Sequence, residues 1–100
     1  MKITAVEAKK IMDSQESIII VDVREPEELE EGYIDNSLLI PLDTVQARVE
    51  KLIPDKNAKI LVYCRSGRRS EIAAEIMERL GYKNIYDFGG IIDWPFDVVI

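Results

Sequence analysis

A cysteine closely followed by three arginines is the strongest chemical feature of this sequence. Cys64 is the only cysteine, and Arg65, Arg68 and Arg69 make up half of the six arginines. Nearby arginines and a helix N-terminus both favour a thiolate over a thiol, and the thiolate is the nucleophilic form. The sequence contains no histidine. A Cys-His pair is therefore impossible, and Cys64 must be activated by surrounding charges and backbone amides.

The elements around Cys64 predict a small concave anion site. An apolar strand ends just before this residue, and a helix with apolar residues at a helical period follows over 70–80. Loop amides and a helix N-terminus form a ready anion-binding concavity, and Gly67 can adopt the positive φ that a tight cradle needs. Arg68 and Arg69 fall at or beside that N-terminus, where each cation costs about 0.3–1 kcal/mol. A bound anion or a negatively charged sulfur would turn this penalty into a gain. The alternative for a free cysteine after an apolar strand is a buried small hydrophobe, and the arginines argue against it.

Strands and helices alternate along the rest of the chain. The predicted strands are 18–21, 38–40, 59–63 and 85–86. The first two predicted helices are 5–13, which begins with a Thr4–Glu7 capping box, and 26–31. A third helix is predicted between an Asp43 cap and Pro54, with Val45, Val49 and Leu52 buried. The fourth is 70–80, with a buried stripe at 72, 73, 76, 77 and 80. Gly89-Gly90 is expected to form a turn, 91–94 a single helical turn, and Trp94 and Phe96 are expected to seal the core. The acidic run from Glu25 to Glu31 is interpreted as a solvated helix face.

This order predicts one α/β domain over residues 1–100, with a mostly parallel central sheet flanked by helices on both faces. Ligands of such sheets bind beyond the carboxyl ends of the strands. Two strand ends carry polar residues suited to this position. One is followed by Cys64, and the other leads into Asp22 and Arg24.

Composition limits the class of partner. The net charge of −6 argues against binding to nucleic acid and to anionic membranes, whereas a local cluster of arginines suits a small anion. Zinc sites made of histidines or several cysteines are excluded, and we expect no metal and no cofactor. The lone thiol suits a reducing compartment, and the first residues lack the apolar core of a signal peptide. We therefore expect a cytoplasmic protein.

Four segments in order resemble the sequence blocks of rhodanese-like sulfurtransferases. The segment from Cys64 to Ser70 is similar to the active-site loop of that family. The other three blocks are Val21–Glu28, then Gly32-Tyr33-Ile34 with Ile40-Pro41-Leu42, and finally Gly89-Gly90 with Trp94-Pro95. Tyr33 stands where many members have histidine, and 35–37 differ from the usual Pro-Gly-Ala. These departures affect at most the rim of the pocket, because neither position carries the chemistry.

The resemblance implies the rhodanese fold and a double displacement through a covalent intermediate. Cys64 would take the outer sulfur of a small anionic donor such as thiosulfate and hold it as a persulfide. A thiol, cyanide or a sulfur-carrier protein would then remove it. The loop residues expected to bind the donor and the persulfide are Arg65, Ser66, Gly67, Arg68, Arg69 and Ser70. Asp22 and Arg24 are expected to brace the loop through ion pairs.

Two other functions remain open on the sequence alone. A cysteine phosphatase or arsenate reductase on the same scaffold would need an arginine at the sixth position after the cysteine, to wrap a tetrahedral anion. That position is Ser70, and Arg69 comes one residue early, so the shorter loop favours sulfur over phosphate. A binding module without turnover is the other alternative, although such modules usually lose the cysteine.

Overall fold

A four-stranded, fully parallel sheet forms the centre of the computed structural model, which describes all residues 1–100. The strands are β1 (Ile19–Asp22), β2 (Ser37–Leu39), β3 (Lys59–Cys64) and β4 (Asn84–Gly90), in the order β2-β1-β3-β4. The helices are α1 (Ala5–Asp13), α2 (Leu42–Leu52) and α3 (Arg68–Arg79), with 3₁₀ segments at Pro26–Glu31 and Ile91–Asp93. The predicted α/β architecture with a parallel sheet is confirmed.

Strand residues alternate between two apolar clusters, one on each face of the sheet. In β3, Ile60 and Val62 pack into a cluster of 14 buried residues with α2 and α3. Leu61 and Tyr63 pack into a cluster of 6 with Ala8 of α1. This period of two places helices on both faces of the sheet, as three layers require. Cys64 lies on the α2/α3 face.

The parallel register brings the two predicted polar strand ends together. β1 and β3 are neighbours, and Asp22 pairs with Tyr63, the residue before Cys64. Because the carboxyl ends of parallel strands meet at one edge, Arg24 and the cysteine loop lie at the same edge of the sheet. None of the helices has the length and the hydrophobicity that a membrane-spanning helix requires.

The helix boundaries and buried stripes differ from the prediction in a few places. The Thr4–Glu7 capping box is confirmed. Asp43 is not a cap, because α2 already begins at Leu42 after Pro41 and has no side-chain cap. Leu52 and Ile72 were expected in the core, but they are 38% and 41% exposed. Each lies at the edge of its helix stripe, so the helical period is right and the width of the buried face was overestimated.

The predicted Gly89-Gly90 turn is wrong, because both glycines are the last residues of β4. The prediction ended this strand at Tyr86, since Asp87 and two glycines are unfavourable strand residues. Tertiary contacts outweigh these propensities. Gly90 pairs with Cys64 across the sheet, and Ile3 N–H donates to the Asp87 carbonyl at 2.9 Å.

Candidate active site

Cys64 is the last residue of a central strand and is almost completely buried, with 1% exposed. The backbone N–H of Gly67 donates to its Sγ at 3.0 Å. An N–H donor this close to sulfur favours a negative charge on the sulfur. The 12-residue helix α3 begins at the next residue, Arg68, so its positive N-terminal end also faces this region.

The loop between β3 and α3 is short and depends on two glycines. Only Arg65, Ser66 and Gly67 lie between the strand and the helix, and Gly67 has φ 101°. Gly90 lies against the loop so closely that a Cβ there would be 2.2 Å from the Arg65 carbonyl oxygen. The same carbonyl accepts from Ile92 N–H at 3.2 Å. The end of β4 therefore fixes the position of the cysteine loop.

The three loop arginines have different environments. Arg69 makes two hydrogen bonds of 2.9 Å to the Glu28 carboxylate. These bonds raise the pKa of Arg69 and lower the pKa of Glu28. Arg65 and Arg68 are exposed and form no ion pair. The charges available to an incoming anion are therefore those of Arg65 and Arg68, and the interpretation of Glu28 as part of a solvated face was wrong.

Replacing Glu28 with glutamine is expected to reduce the free energy of unfolding by about 1 kcal/mol at neutral pH, because Arg69 loses a partly buried, two-bond partner. The lowered pKa of Glu28, caused mainly by the hydrogen bonds from Arg69, fixes the pH dependence. A carboxylate with a lowered pKa stabilises the fold above its ordinary pKa, and this stabilisation is lost as the pH falls through the lowered value.

The difference in free energy of unfolding between wild type and Glu28→Gln should therefore be largest near pH 7 and should decrease as the pH falls below about 4. Urea unfolding at pH 7 and at a pH below about 4 measures this difference. Glu27→Gln is the matched control, because Glu27 is exposed and unpaired. Equal effects of the two substitutions would contradict a specific role for the Glu28–Arg69 pair.

Asp22 and Arg24 form a buried ion pair at the end of β1. Arg24 Nη2 donates to Asp22 Oδ2 at 2.8 Å, and both residues are at most 2% exposed. Arg24 also donates to the carbonyls of Gly32 at 2.9 Å and Glu28 at 3.4 Å. The pair therefore holds the segment that carries Glu28, and its hydrogen bonds do not reach the cysteine loop directly. The expected bracing of the loop would be indirect, through Glu28 and Arg69.

Asp87 belongs to this site although the sequence did not predict it. Its Oδ1 accepts from the Ser70 hydroxyl at 2.8 Å and from Gly89 N–H at 2.9 Å. Ser70 Oγ lies 3.7 Å from Cys64 Sγ, and both Asp87 and Ser70 are buried. A charged residue at an inward position among Ile85, Tyr86 and Phe88 is the signal that could have identified it.

Two clefts flank the loop. A polar cleft of about 560 Å³ is lined by Lys2, Ser66, Gly67, Arg68, Glu71 and Asp87, among others. A second cleft, of about 270 Å³, is lined by the charged residues Arg24, Glu31 and Arg65 and by the apolar residues Ile91, Ile92, Trp94, Phe96 and Val98. Trp94 packs against the core as expected, on the α1 face, with its ring centroid 5.3 Å from that of Phe88. Phe96 was also expected to seal the core, but it belongs to neither core cluster and contacts the outer side of Trp94, with ring centroids 5.1 Å apart. The largest cavity, about 700 Å³, contains no loop residue, so cavity size does not identify the site.

The arrangement supplies a nucleophile, a hydrogen-bond donor for negative sulfur and two free cationic side chains. It provides no histidine base, and no group of three or more His, Cys, Asp or Glu residues could hold a metal ion. This arrangement is suited to attack by Cys64 on an anionic substrate at the carboxyl edge of a parallel sheet.

Comparison with known proteins identifies the family. The profile of the Rhodanese-like domain matches residues 4–95. Thiosulfate sulfurtransferase PspE of Escherichia coli is 38% identical over 73 residues, which is 73% of this chain and 70% of that protein. Putative sulfur carrier protein YrkF of Bacillus subtilis is 42% identical over 87 residues, which is 86% of this chain but only 46% of that protein.

A solved structure described as rhodanese with anions from E. coli superposes with a TM-score of 0.75 at 36% identity. The match covers 81% of this chain and 95% of that one. Together with the profile match over residues 4–95, this places the whole three-layer fold within one family. The chain belongs to the rhodanese-like domain family.

Proposed function

We propose that this protein is a sulfurtransferase that moves a sulfane sulfur from a small anionic, thiosulfate-like donor through a Cys64 persulfide to a nucleophilic acceptor. The observation that carries the proposal is the Gly67 N–H bonded to Cys64 Sγ at 3.0 Å, at the N-terminus of α3 and beside two unpaired arginines. PspE, named a thiosulfate sulfurtransferase, supports sulfur transfer in general and thiosulfate as a donor to test.

The first half-reaction needs only the thiolate and the donor. The Cys64 thiolate attacks the outer sulfur of thiosulfate, and a new S–S bond forms as the S–S bond of the donor breaks. Sulfite leaves with the electron pair of the broken bond. The enzyme then carries a persulfide, and no external oxidant or reductant is required.

The second half-reaction returns the enzyme to its starting state. A nucleophile attacks the outer sulfur of the persulfide, and Cys64 leaves as the thiolate. Cyanide becomes thiocyanate, and a thiol becomes a new persulfide. The Gly67 N–H and the N-terminal end of α3 stabilise negative charge on sulfur in both steps, as an oxyanion hole does for oxygen.

The burial of Cys64 restricts the acceptor. With 1% of the residue exposed, only a small molecule or a slender protein segment can approach its sulfur. A protein thiol is one such acceptor, and the name of YrkF as a putative sulfur carrier supports a protein partner. A free, reactive thiol also suits a reducing compartment, so the proposal places the activity in the cytoplasm.

Neutralising either free arginine should weaken donor binding. Arg65→Gln and Arg68→Gln are each expected to raise the KM for thiosulfate about threefold to tenfold, because each removes an unpaired positive charge that attracts the dianion to the loop. Initial rates of thiocyanate formation over a range of thiosulfate concentrations measure the effect. Arg48→Gln is the matched control, since Arg48 is exposed on α2. An unchanged KM in both loop variants would contradict this role.

The function itself is tested by incubating the wild-type protein with thiosulfate and cyanide. The proposal predicts thiocyanate and sulfite in equal amounts, with ping-pong kinetics. Neither product appearing, together with no sulfur on Cys64, would overturn it. Hydrolysis of an aryl phosphate that depends on Cys64 would instead favour the phosphatase alternative.

A further inference from the structure

Asp87 is a buried carboxylate close to the nucleophile. It is 4% exposed and lies on the sheet face that carries Cys64 and α3, while its neighbour Phe88 packs on the α1 face. Burying a carboxylate is unfavourable unless specific contacts compensate. Here its Oδ1 accepts from Ser70 Oγ and from Gly89 N–H.

The single proton of the Ser70 hydroxyl has several acceptors within reach. Asp87 Oδ1 is at 2.8 Å, the Gly67 carbonyl at 3.0 Å and the Gly89 carbonyl at 3.5 Å. The carboxylate is both the nearest and the only charged acceptor, so it holds this proton. Ser70 Oγ then presents a lone pair to Cys64 Sγ, 3.7 Å away. A lone pair accepts from a thiol and repels a thiolate.

Other groups act on Cys64 in the opposite direction. Gly67 N–H and the N-terminus of α3 favour the thiolate. The charged side chains lining the cleft around Asp87 are Lys2 from the N-terminal segment and Arg68 and Glu71 from α3. β3 places only the apolar Val62 opposite Asp87. The loop therefore favours the thiolate of Cys64, whereas Asp87, acting through Ser70, favours the thiol.

This opposition has a kinetic consequence. The nucleophilicity of a thiolate falls as its thiol becomes more acidic, with a Brønsted coefficient of about 0.4–0.5. An attacking thiol works best when it ionises near the ambient pH. A loop that stabilised the thiolate without limit would produce a permanently ionised but weak nucleophile.

We propose that Asp87 is a positioning residue for Cys64, which acts by holding the Ser70 proton away from the sulfur. This limits the stabilisation of the thiolate by the loop and keeps the thiolate strongly nucleophilic. The purpose of this tuning rests on the proposed sulfur transfer, but the tuning itself is measured without any sulfur donor.

The test is the rate of Cys64 alkylation by iodoacetamide as a function of pH, in wild type and in Asp87→Asn. Cys64 is the only cysteine, so the reaction reports on it alone. Asparagine keeps an acceptor oxygen for Gly89 N–H but removes the charge that makes Asp87 the preferred acceptor of the Ser70 proton, so this proton becomes free to turn toward the sulfur. The midpoint of the profile should move to lower pH by about one unit, and the limiting rate at high pH should fall about threefold. Asp93→Asn, an exposed carboxylate after β4, should leave both unchanged.

If Asp87 served only to hold the loop in place, Asp87→Asn would shift the midpoint of the alkylation profile in the opposite direction. Loosening the loop would weaken the Gly67 contact and move the midpoint to higher pH, so a basic shift or no shift overturns the proposal. If Asp87→Asn does not fold, Asp87→Ser removes the same charge and carries the same prediction. In a Ser70→Ala background, Asp87→Asn should shift the midpoint much less, and an undiminished shift there would overturn the route through Ser70. If the wild type showed no sulfur transfer, the proposed function would be overturned, but these alkylation profiles could still be measured.

Discussion

Replacing Cys64 with serine is expected to reduce thiocyanate formation by more than about 10³-fold. A serine hydroxyl remains protonated at neutral pH and is a poor nucleophile toward sulfur, so the first half-reaction stops. The substitution is nearly isosteric, and the Gly67 N–H can still donate to the smaller oxygen. Steady-state rates with thiosulfate and cyanide measure the effect.

Thermal unfolding provides the control for this variant. Its Tm should stay close to that of the wild type, because Cys64 makes no disulfide and its neighbours need no new packing. A folded Cys64→Ser protein that kept a tenth or more of the wild-type rate would show that another group accepts the sulfur.

Gly90→Ala, which adds one methyl group, should reduce catalytic activity almost as strongly as Cys64→Ser. The new Cβ would lie 2.2 Å from the Arg65 carbonyl oxygen and 2.6 Å from Ser66 Cα, distances at which backbone atoms must move. We expect Gly90→Ala to lose about 1–3 kcal/mol of stability and at least about 100-fold in kcat/KM, because a shift of about 1 Å in a catalytic group can cost this much. Urea unfolding and the thiocyanate assay measure the two effects.

Gly81→Ala is the matched control for this steric effect. Gly81 follows the end of α3 and has φ 101°, and an added Cβ there would lie 3.7 Å from Lys56 Nζ. Alanine there should cost stability through backbone strain and leave kcat/KM of the folded protein unchanged. Gly90→Ala with activity within a factor of about three of wild type would show that the loop does not depend on the end of β4.

The sequence predicted the elements that local patterns determine. The β-branched run of β1 and the apolar run of β3 are strong strand signals, and Thr4 with Glu7 predicted the start of α1 correctly. The clustering of Arg65, Arg68 and Arg69 after Cys64 identified the loop. In each case neighbouring residues contain the information.

The features that the sequence did not predict depend on distant contacts. Glu28 pairs with Arg69 across 41 positions, and Ser70 with Asp87 across 17. No local period signals such pairs. Gly90 was interpreted as a turn residue because glycine is common in turns, whereas its role is to let the backbone of the loop approach β4.

The most direct test of sulfur transfer through Cys64 is the intact mass of the protein after incubation with thiosulfate and removal of the excess. The wild type should gain the mass of one sulfur atom and lose it again on addition of cyanide. Cys64→Ser should gain nothing. A wild-type mass that does not change, or a gain that persists in Cys64→Ser, would contradict a persulfide on Cys64.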